Sequence, residues 1–354
     1  MTTPAIRAVK ESGVDRRVTL LTSPAGAEGA ALAPEVDVVL RYSAPWVKTT
    51  DVRADRAADL ALIETLRARR FDAAVIFTCY SQSPLPAALV CYLAGIPLRA
   101  ARCRENPYHL LTDWLPEDEP QTLVRHEVRR QLDLAAAIGC RPSSERLSLA
   151  VPSQADSDIP RLLEACGVDG DRPWVAIHPG ASAPSRRYPP EHFAEVADGL
   201  VEAGLQVVFT GTASESALVE GIRKKMHFPS YSLAGRLDLG RLAALFARAA
   251  IVISNNTGPA HVAAAAGAPV VDLYALTNPQ HAPWQTPHRV LFSDVSCKYC
   301  YKSVCPAGHH DCLRRVAPQA VLEATWELLD GLRAARDADL TLETALVGGQ
   351  ACIP

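Results

Sequence analysis

Apolar positions along the chain follow two rhythms. Short β-branched runs, RVTLLTS (17–23), VDVVLRY (36–42) and FDAAVIFT (71–78), read as strands, the last as a strongly buried one. Between and after them lie stretches with helical spacing. Arg56–Arg70 carries Leu60, Leu62, Ile63 and Leu66 on one side, Pro84–Gly95 closes on a glycine, and Thr122–Ile138 spaces His126, Val128 and Leu132 along its length. Strands alternating with helices of this size predict a parallel sheet covered on both faces.

Residues 140–170 interrupt the pattern. Pro142, Pro152 and Pro160 stand among serines and aspartates, so the stretch reads as the end of one domain and a linker. The alternation then restarts: a strand at Val175–Ile177, a helix over Pro190–Ala203 and a strand over Gln206–Thr210. Helices over Ser214–Lys225 and Leu239–Ala249, and an amphipathic helix from Pro318 to about Ala335, complete the reading.

The most informative stretch is Ile251–Leu276, IVISNNTGPAHVAAAAGAPVVDLYAL. A buried strand leads through two asparagines and a threonine into Gly258-Pro259 and an alanine-rich helix. Gly267 ends that helix, and Pro269-Val270-Val271 opens the next strand. Proline suits the first helical turn, glycine admits close approach of a ligand, and the first helical N–H groups lack partners. Such a turn can hold a phosphate, with the His261 imidazole adding charge. An ordinary helix capped by Asn256 or Thr257 fits the same local pattern.

The longer stretch SNNTGPAHVAAAAGAPVVDLYALTNPQHAPW, including Thr277-Asn278-Pro279 and Trp284, resembles a motif of family 9 glycosyltransferases, the ADP-heptose:lipopolysaccharide heptosyltransferases. Upstream, WVAIHPGASAPSRRYP (Trp174–Pro189) resembles that family's second signature, with Tyr188-Pro189 replacing the common Trp-Pro. The resemblance implies a GT-B fold: α/β, two Rossmann-like domains whose parallel sheets face a central cleft. The implied domains are 1–165 on the acceptor side, 166–317 on the nucleotide-sugar side, and a C-terminal segment 318–354 whose helix returns to the first domain.

It also implies an inverting transfer of heptose from ADP-heptose to a lipopolysaccharide core or related glycan. His178, Gly180, Ser182, Arg186 and Gly211 are then expected to bind the nucleotide sugar. Asn256, Thr257, Gly258, Pro259 and His261 complete that set. Cations and a helix N-terminus would meet the diphosphate, a guanidinium forking well onto phosphate, so no cofactor or divalent metal is required. Asn256 departs from the commoner aspartate, which leaves the sugar open. Thr210-Gly211-Thr212 and Leu233-Ala234-Gly235 lie at strand ends, where nucleotides bind in open sheets, although Gly211 equally serves a tight turn.

Composition narrows the compartment. The 354 residues are 48% hydrophobic and 21% charged, with net charge −3, a balance that supports full cores and gives no reason to expect nucleic acid. No apolar run approaches the roughly 20 residues of a membrane span, and the N-terminus carries no signal peptide. The chain reads as cytoplasmic, with a lipid-linked acceptor implying peripheral contact with the inner face of the membrane.

The N-terminus meets the family pattern in mid-motif. Thr3-Pro4-Ala5-Ile6-Arg7-Ala8 matches the second half of a segment whose strand, glycine and aspartate would precede residue 1. That aspartate is the family's proposed general base, so no catalytic residue is assigned. The expectation is that Met1 is an internal methionine of a longer frame, and that the first sheet lacks its central strand. A chain that truly starts here would favour a non-catalytic nucleotide-sugar-binding protein. A GT-B epimerase would need acid–base groups that the sequence does not assign.

A last cluster stands apart: Cys297, Cys300, Cys305 and Cys312, spaced C-x2-C-x4-C-x6-C, with His309 and His310 inside. A structural zinc site and a compact loop packed by reduced thiols both fit this spacing.

Overall fold

A computed structural model describes residues 1–47 and 55–348, with side chains described as far as residue 334. The tail 349–354 of the expected C-terminal segment lies outside the described residues. The chain forms two compact units, Met1–Ala150 with Pro279–Trp284, and Val151–Asn278 with Gln285–Pro354.

The first unit runs α1 (Thr3–Glu11), β1 (Thr19–Thr22), α2 (Pro24–Ala30), β2 (Val38–Arg41), α3 (Arg56–Arg69), β3 (Ala73–Ile76), α4 (Leu85–Leu93), β4 (Leu98–Cys103), β5 (Asp113–Pro116) and α5 (Glu127–Ala137). α3 starts where Asp55 accepts N–H bonds from Ala57 and Ala58, and it buries Leu62, Ile63 and Leu66 while Leu60 faces solvent. α5 starts at Glu127, later than the apolar spacing suggests, because the His126 ring nitrogen caps it by accepting from Val128 N–H at 3.2 Å.

All strand pairs in this unit are parallel, as expected, but they form two sheets, β1-β2 and β3-β4-β5. Among the described residues β1 and β3 therefore each keep one unpaired edge. This corrects the reading of FDAAVIFT as a strongly buried strand. With one open edge, Ala73 is exposed and Ala74, Val75 and Ile76 are half-buried. β4, flanked on both sides, is buried from Arg99 to Cys103 despite its two arginines. Flanking strands decide burial here more than side-chain type.

The second unit runs α6 (Ser153–Glu164), β6 (Trp174–His178), α7 (Pro190–Glu202), β7 (Gln206–Phe209), α8 (Ser216–Arg223), β8 (Tyr231–Ser232), α9 (Leu239–Arg248), β9 (Val252–Asn255), α10 (Gly258–Ala265), β10 (Val270–Leu273), β11 (His288–Leu291), α11 (Asp311–Arg314) and α12 (Pro318–Gly348). Its six strands are parallel in the order β11-β10-β9-β6-β7-β8. Strand residues alternate between two cores. Val175, Ile177, Val207, Phe209, Ile253 and Val271 pack toward α7, α8 and α12, and Trp174, Ala176, Val208, Val252 and Val270 pack toward α6, α9 and α10.

The boundary between the units, after Ala150, falls within residues 140–170 as expected, but α6 replaces the linker read there. Ala155, Ile159 and Leu163, spaced four apart, are buried against the sheet. Pro160 sits inside this helix and cannot bond the carbonyl of Asp156. The Arg248 guanidinium approaches that carbonyl at 3.5 Å and also pairs with the Asp156 carboxylate at 2.8 Å. A tertiary partner thus supplies what the proline removes. α12 packs on α7 and beside β10 and β11, with Val321, Ala324 and Leu328 in the core. No helix among the described residues is long and apolar enough to cross a membrane.

The contrast between the two units makes a prediction. Ile253→Ala removes a fully buried side chain from a central strand and should cost about 3 kcal/mol. Ile76→Ala, on half-buried β3, should cost roughly 1 kcal/mol. Denaturant unfolding of the two variants checks the ranking.

Candidate functional site

In the second unit the chain runs from β6 outward to β7 and β8, then returns to the other side of β6 with β9, β10 and β11. β6 and β9 therefore flank the switch point, where ligands bind beyond the carboxyl ends of open parallel sheets. Two segments emerge there: Pro179–Pro189 after β6, and Asn256–Thr257 leading into α10.

Asn255, fully buried at the end of β9, ties these segments together. Its carboxamide nitrogen donates to the Pro179 carbonyl at 2.8 Å, and its oxygen accepts from Tyr188 N–H at 3.0 Å. Tyr188 is anchored in turn by its hydroxyl, which donates to the Val316 carbonyl at 2.8 Å, and by edge-on packing against Phe193. Between the two ties runs a 3-10 turn over Pro184–Arg186. Arg186 projects from it half-buried, and no carboxylate among the described residues forms an ion pair with it. Arg187 is exposed, and its Nε donates to the Ala181 carbonyl at 2.8 Å.

Thr257 occupies the N-cap of α10 in extended conformation, but its hydroxyl donates backward to the Asn255 carbonyl at 3.2 Å and makes no capping bond. Among the described residues no side-chain capping bond is recorded at this N-cap. Gly258 is exposed, and a Cβ built there would meet nothing within 4 Å. Packing within the protein therefore does not require a glycine at this position. His261 is half-buried in the first turn. The N-terminus of a helix and an arginine without an ion-pair partner both favour a negatively charged group.

Asn256 is buried and points away from solvent. Its amide donates to the Asp272 carboxylate at 2.8 Å. Asp272 lies in β10, fully buried, and burial pushes its pKa up to about 7 against the opposing pulls of the Asn256 bond and the Arg186 charge. An aspartate at 256 would set two carboxyl groups at hydrogen-bond distance in this interior, so the amide matches its partner.

His178, at the end of β6, is also buried. Its Nδ1 lies 2.9 Å from the Thr210 hydroxyl and its Nε2 3.7 Å from Glu215. Burial pushes its pKa down to about 4, against the pull of Glu215, so at pH 7 it is a neutral support. Glu215 accepts from Thr212 N–H at 2.8 Å in a capping box and lies directly over Gly180. A Cβ at Gly180 would fall 2.0 Å from that carboxylate. Gly211 turns the chain beside the same side chain, and Ser182 is exposed. A cavity of about 480 Å³ opens alongside, sharing Ala181 and Glu215 with this group and lined further by Arg187, Glu191, His310 and Arg314.

The expected residues thus divide in two. Arg186, Thr257, Gly258, Pro259 and His261 are exposed or half-buried on the segments beyond β6 and β9 and make up a candidate anion cradle, while His178 and Asn256 are buried and Gly180 and Gly211 pack beside Glu215. Asn255, Glu215 and Asp272 were missed. The spacing Thr212-x-x-Glu215 is a readable capping box, but the lone Asp272 in an apolar run gave no signal. Trp284 belongs to the first unit, 4.5 Å from the His126 ring, with its indole N–H on the Glu145 carbonyl at 2.8 Å. All described cysteines are free thiols. No group of three or more His, Cys, Asp or Glu among the described residues is gathered as metal ligands.

Comparison with known proteins gives a family model, glycosyltransferase family 9 (heptosyltransferase), that matches residues 60–310. Lipopolysaccharide heptosyltransferase 2 of Escherichia coli K12 is 29% identical over 275 residues, covering 75% of this chain and 77% of that protein. The structure of E. coli ADP-heptose LPS heptosyltransferase II superposes with a TM-score of 0.73 at 24% identity, covering 94% of this chain and 95% of the other. A family 9 glycosyltransferase from Veillonella parvula gives 0.75 at 20% identity, covering 93% and 92%. These likenesses identify the fold as GT-B, with two Rossmann-like units.

Asp272 generates a pH prediction. A buried carboxyl whose pKa is raised from the usual 3.8 to about 7 keeps its proton when folded but loses it when unfolded. Its contribution to stability is therefore full below about pH 4 and is lost as pH rises through 7. Asp272→Asn should abolish this loss, so its thermal midpoint should gain on that of the wild type between pH 5 and pH 8, as scanning calorimetry can follow.

Proposed function

Because the chain belongs to glycosyltransferase family 9, we propose that it transfers heptose from ADP-heptose to a lipopolysaccharide core sugar, with inversion. The observation that carries this reading is the uncapped α10 N-terminus in the same unit as the unpaired Arg186. In the reaction an acceptor hydroxyl attacks the anomeric carbon from the face opposite the leaving group. The bond between that carbon and the diphosphate oxygen breaks, and the electron pair leaves on ADP. Negative charge grows on the diphosphate as the bond breaks. In this reading the α10 N–H groups and the Arg186 guanidinium take up that charge.

The acceptor proton passes to a base on the acceptor side, in the first unit. In the second unit the buried Asp272 accepts from Asn256 and the half-buried Glu215 from Thr212. In this reading the charged groups of the cradle replace a divalent metal, and transfer needs no cofactor. The acceptor is a lipid-linked core oligosaccharide, which the enzyme meets by peripheral contact at the inner face of the cytoplasmic membrane. The test is transfer from ADP-heptose to an isolated core acceptor; failure of any heptose transfer by a folded, ADP-binding protein would overturn the reading.

Two substitutions sharpen it. Arg186→Ala should lower kcat/KM about 10²-fold with little change in thermal midpoint, since the side chain has no ion-pair partner among the described residues. Gly258→Ala meets open space, so the fold should be unaffected while ADP affinity falls about tenfold in titration calorimetry.

A further inference from the structure

The cysteine loop takes no part in the transfer, yet it is built around one point. Cys297, Cys300, Cys305 and Cys312 all line a single cavity of about 20 Å³, together with His309 and His310. That volume is enough for one small body. The turn after Cys305 is closed by Gly308 N–H, which donates to the Cys305 carbonyl at 3.2 Å. His309 Nδ1 accepts from Asp311 N–H at 2.9 Å, which leaves Nε2 to donate toward the Cys297 sulfur 3.7 Å away. A histidine that supports a ligating sulfur from outside is usual around metals.

The loop is also held in costly backbone conformations. Tyr299, Tyr301 and His310 all adopt positive φ, at 60°, 55° and 54°. From those positions it grips the cradle. Ser185 N–H donates to the Ser303 carbonyl at 3.1 Å and Ser185 Oγ to the Lys302 carbonyl at 2.8 Å. Tyr299 and Tyr301 N–H groups donate to the carbonyls of Leu276 and Thr277 at 2.6 and 2.8 Å. The turn that carries Arg186 therefore rests directly on the backbone between Cys300 and Cys305.

We propose that Cys297, Cys300, Cys305 and Cys312 bind one zinc ion, which locks this loop and with it the turn that carries Arg186. The four side chains line one cavity without being gathered as a ligand sphere, so binding has to draw the sulfurs together by rotation about χ1. Binding releases the thiol protons to solvent, and four thiolates complete a tetrahedral site with no open position, which is structural rather than catalytic.

The full chain, purified under reducing conditions without chelator, should carry roughly one zinc per chain by mass spectrometry of metals. A Cys305→Ser/Cys312→Ser double variant should lose it, and Cys79→Ser should not. Zinc well below one per chain, or full zinc in the double variant, would overturn the proposal; iron in place of zinc would overturn the choice of metal. Should the double variant fail to fold, thiol titration of the wild type decides instead. Four further thiols should become reactive after chelation, whereas reaction of all accessible thiols at once without chelator would contradict bound metal. Chelation should also speed tryptic cleavage after Arg186 and Arg187 about tenfold or more. An unchanged rate would refute the link to the turn, independently of any activity assay.

Discussion

The side chain of Asn255 is the constraint on which the candidate site depends. β6 and β9 pair through their strands, but hydrogen bonding between them ends at the carboxyl edge, and the segments beyond would otherwise be independent loops. One buried carboxamide, donating to Pro179 and accepting from Tyr188, fixes both ends of the segment that carries Arg186. A buried amide with both functions satisfied is geometrically exacting, because any displacement leaves two polar groups unpaired in the interior. The backward-turned Thr257 hydroxyl, bonded to the carbonyl of the same asparagine, leaves the α10 N-terminus uncapped. A single residue thus braces both halves of the cradle.

The second organising feature is how charge is removed from behind that cradle. Asp272 is driven toward its neutral form by burial and receives an amide hydrogen from Asn256. His178 is driven toward its neutral form as well. Below pH 7 these two groups behind the cradle therefore add little charge of either sign. The Arg186 guanidinium and the helix dipole are left to act on a ligand with little internal compensation. Glu215 stands beside His178, bonded to Thr212 and seated over Gly180.

Much of this was legible in the sequence. The strands of the second unit are β-branched runs bounded by glycine and proline, and the Thr-Gly-Pro turn announces an exposed helix start. What stayed hidden has physical reasons. α6 was masked by Pro160, whose missing hydrogen bond is offset by Arg248, nearly ninety residues away in sequence. The division of the first unit's strands into two sheets depends on which edges find partners, and apolar content does not record that. The roles of His178 and Asn256 as interior supports depend on burial, which a motif match does not measure. The motif named the candidate residues; their burial and hydrogen-bond partners required coordinates.

If the second unit holds a nucleotide through its diphosphate, affinity must follow phosphate count. Calorimetric titration of the intact chain with ADP, AMP and adenosine tests this most directly. ADP should bind at least about tenfold more tightly than AMP, with adenosine weaker still and the ADP advantage shrinking as salt is raised. Equal affinity for all three, insensitive to salt, would mean that the uncapped helix and Arg186 are not the seat of the diphosphate.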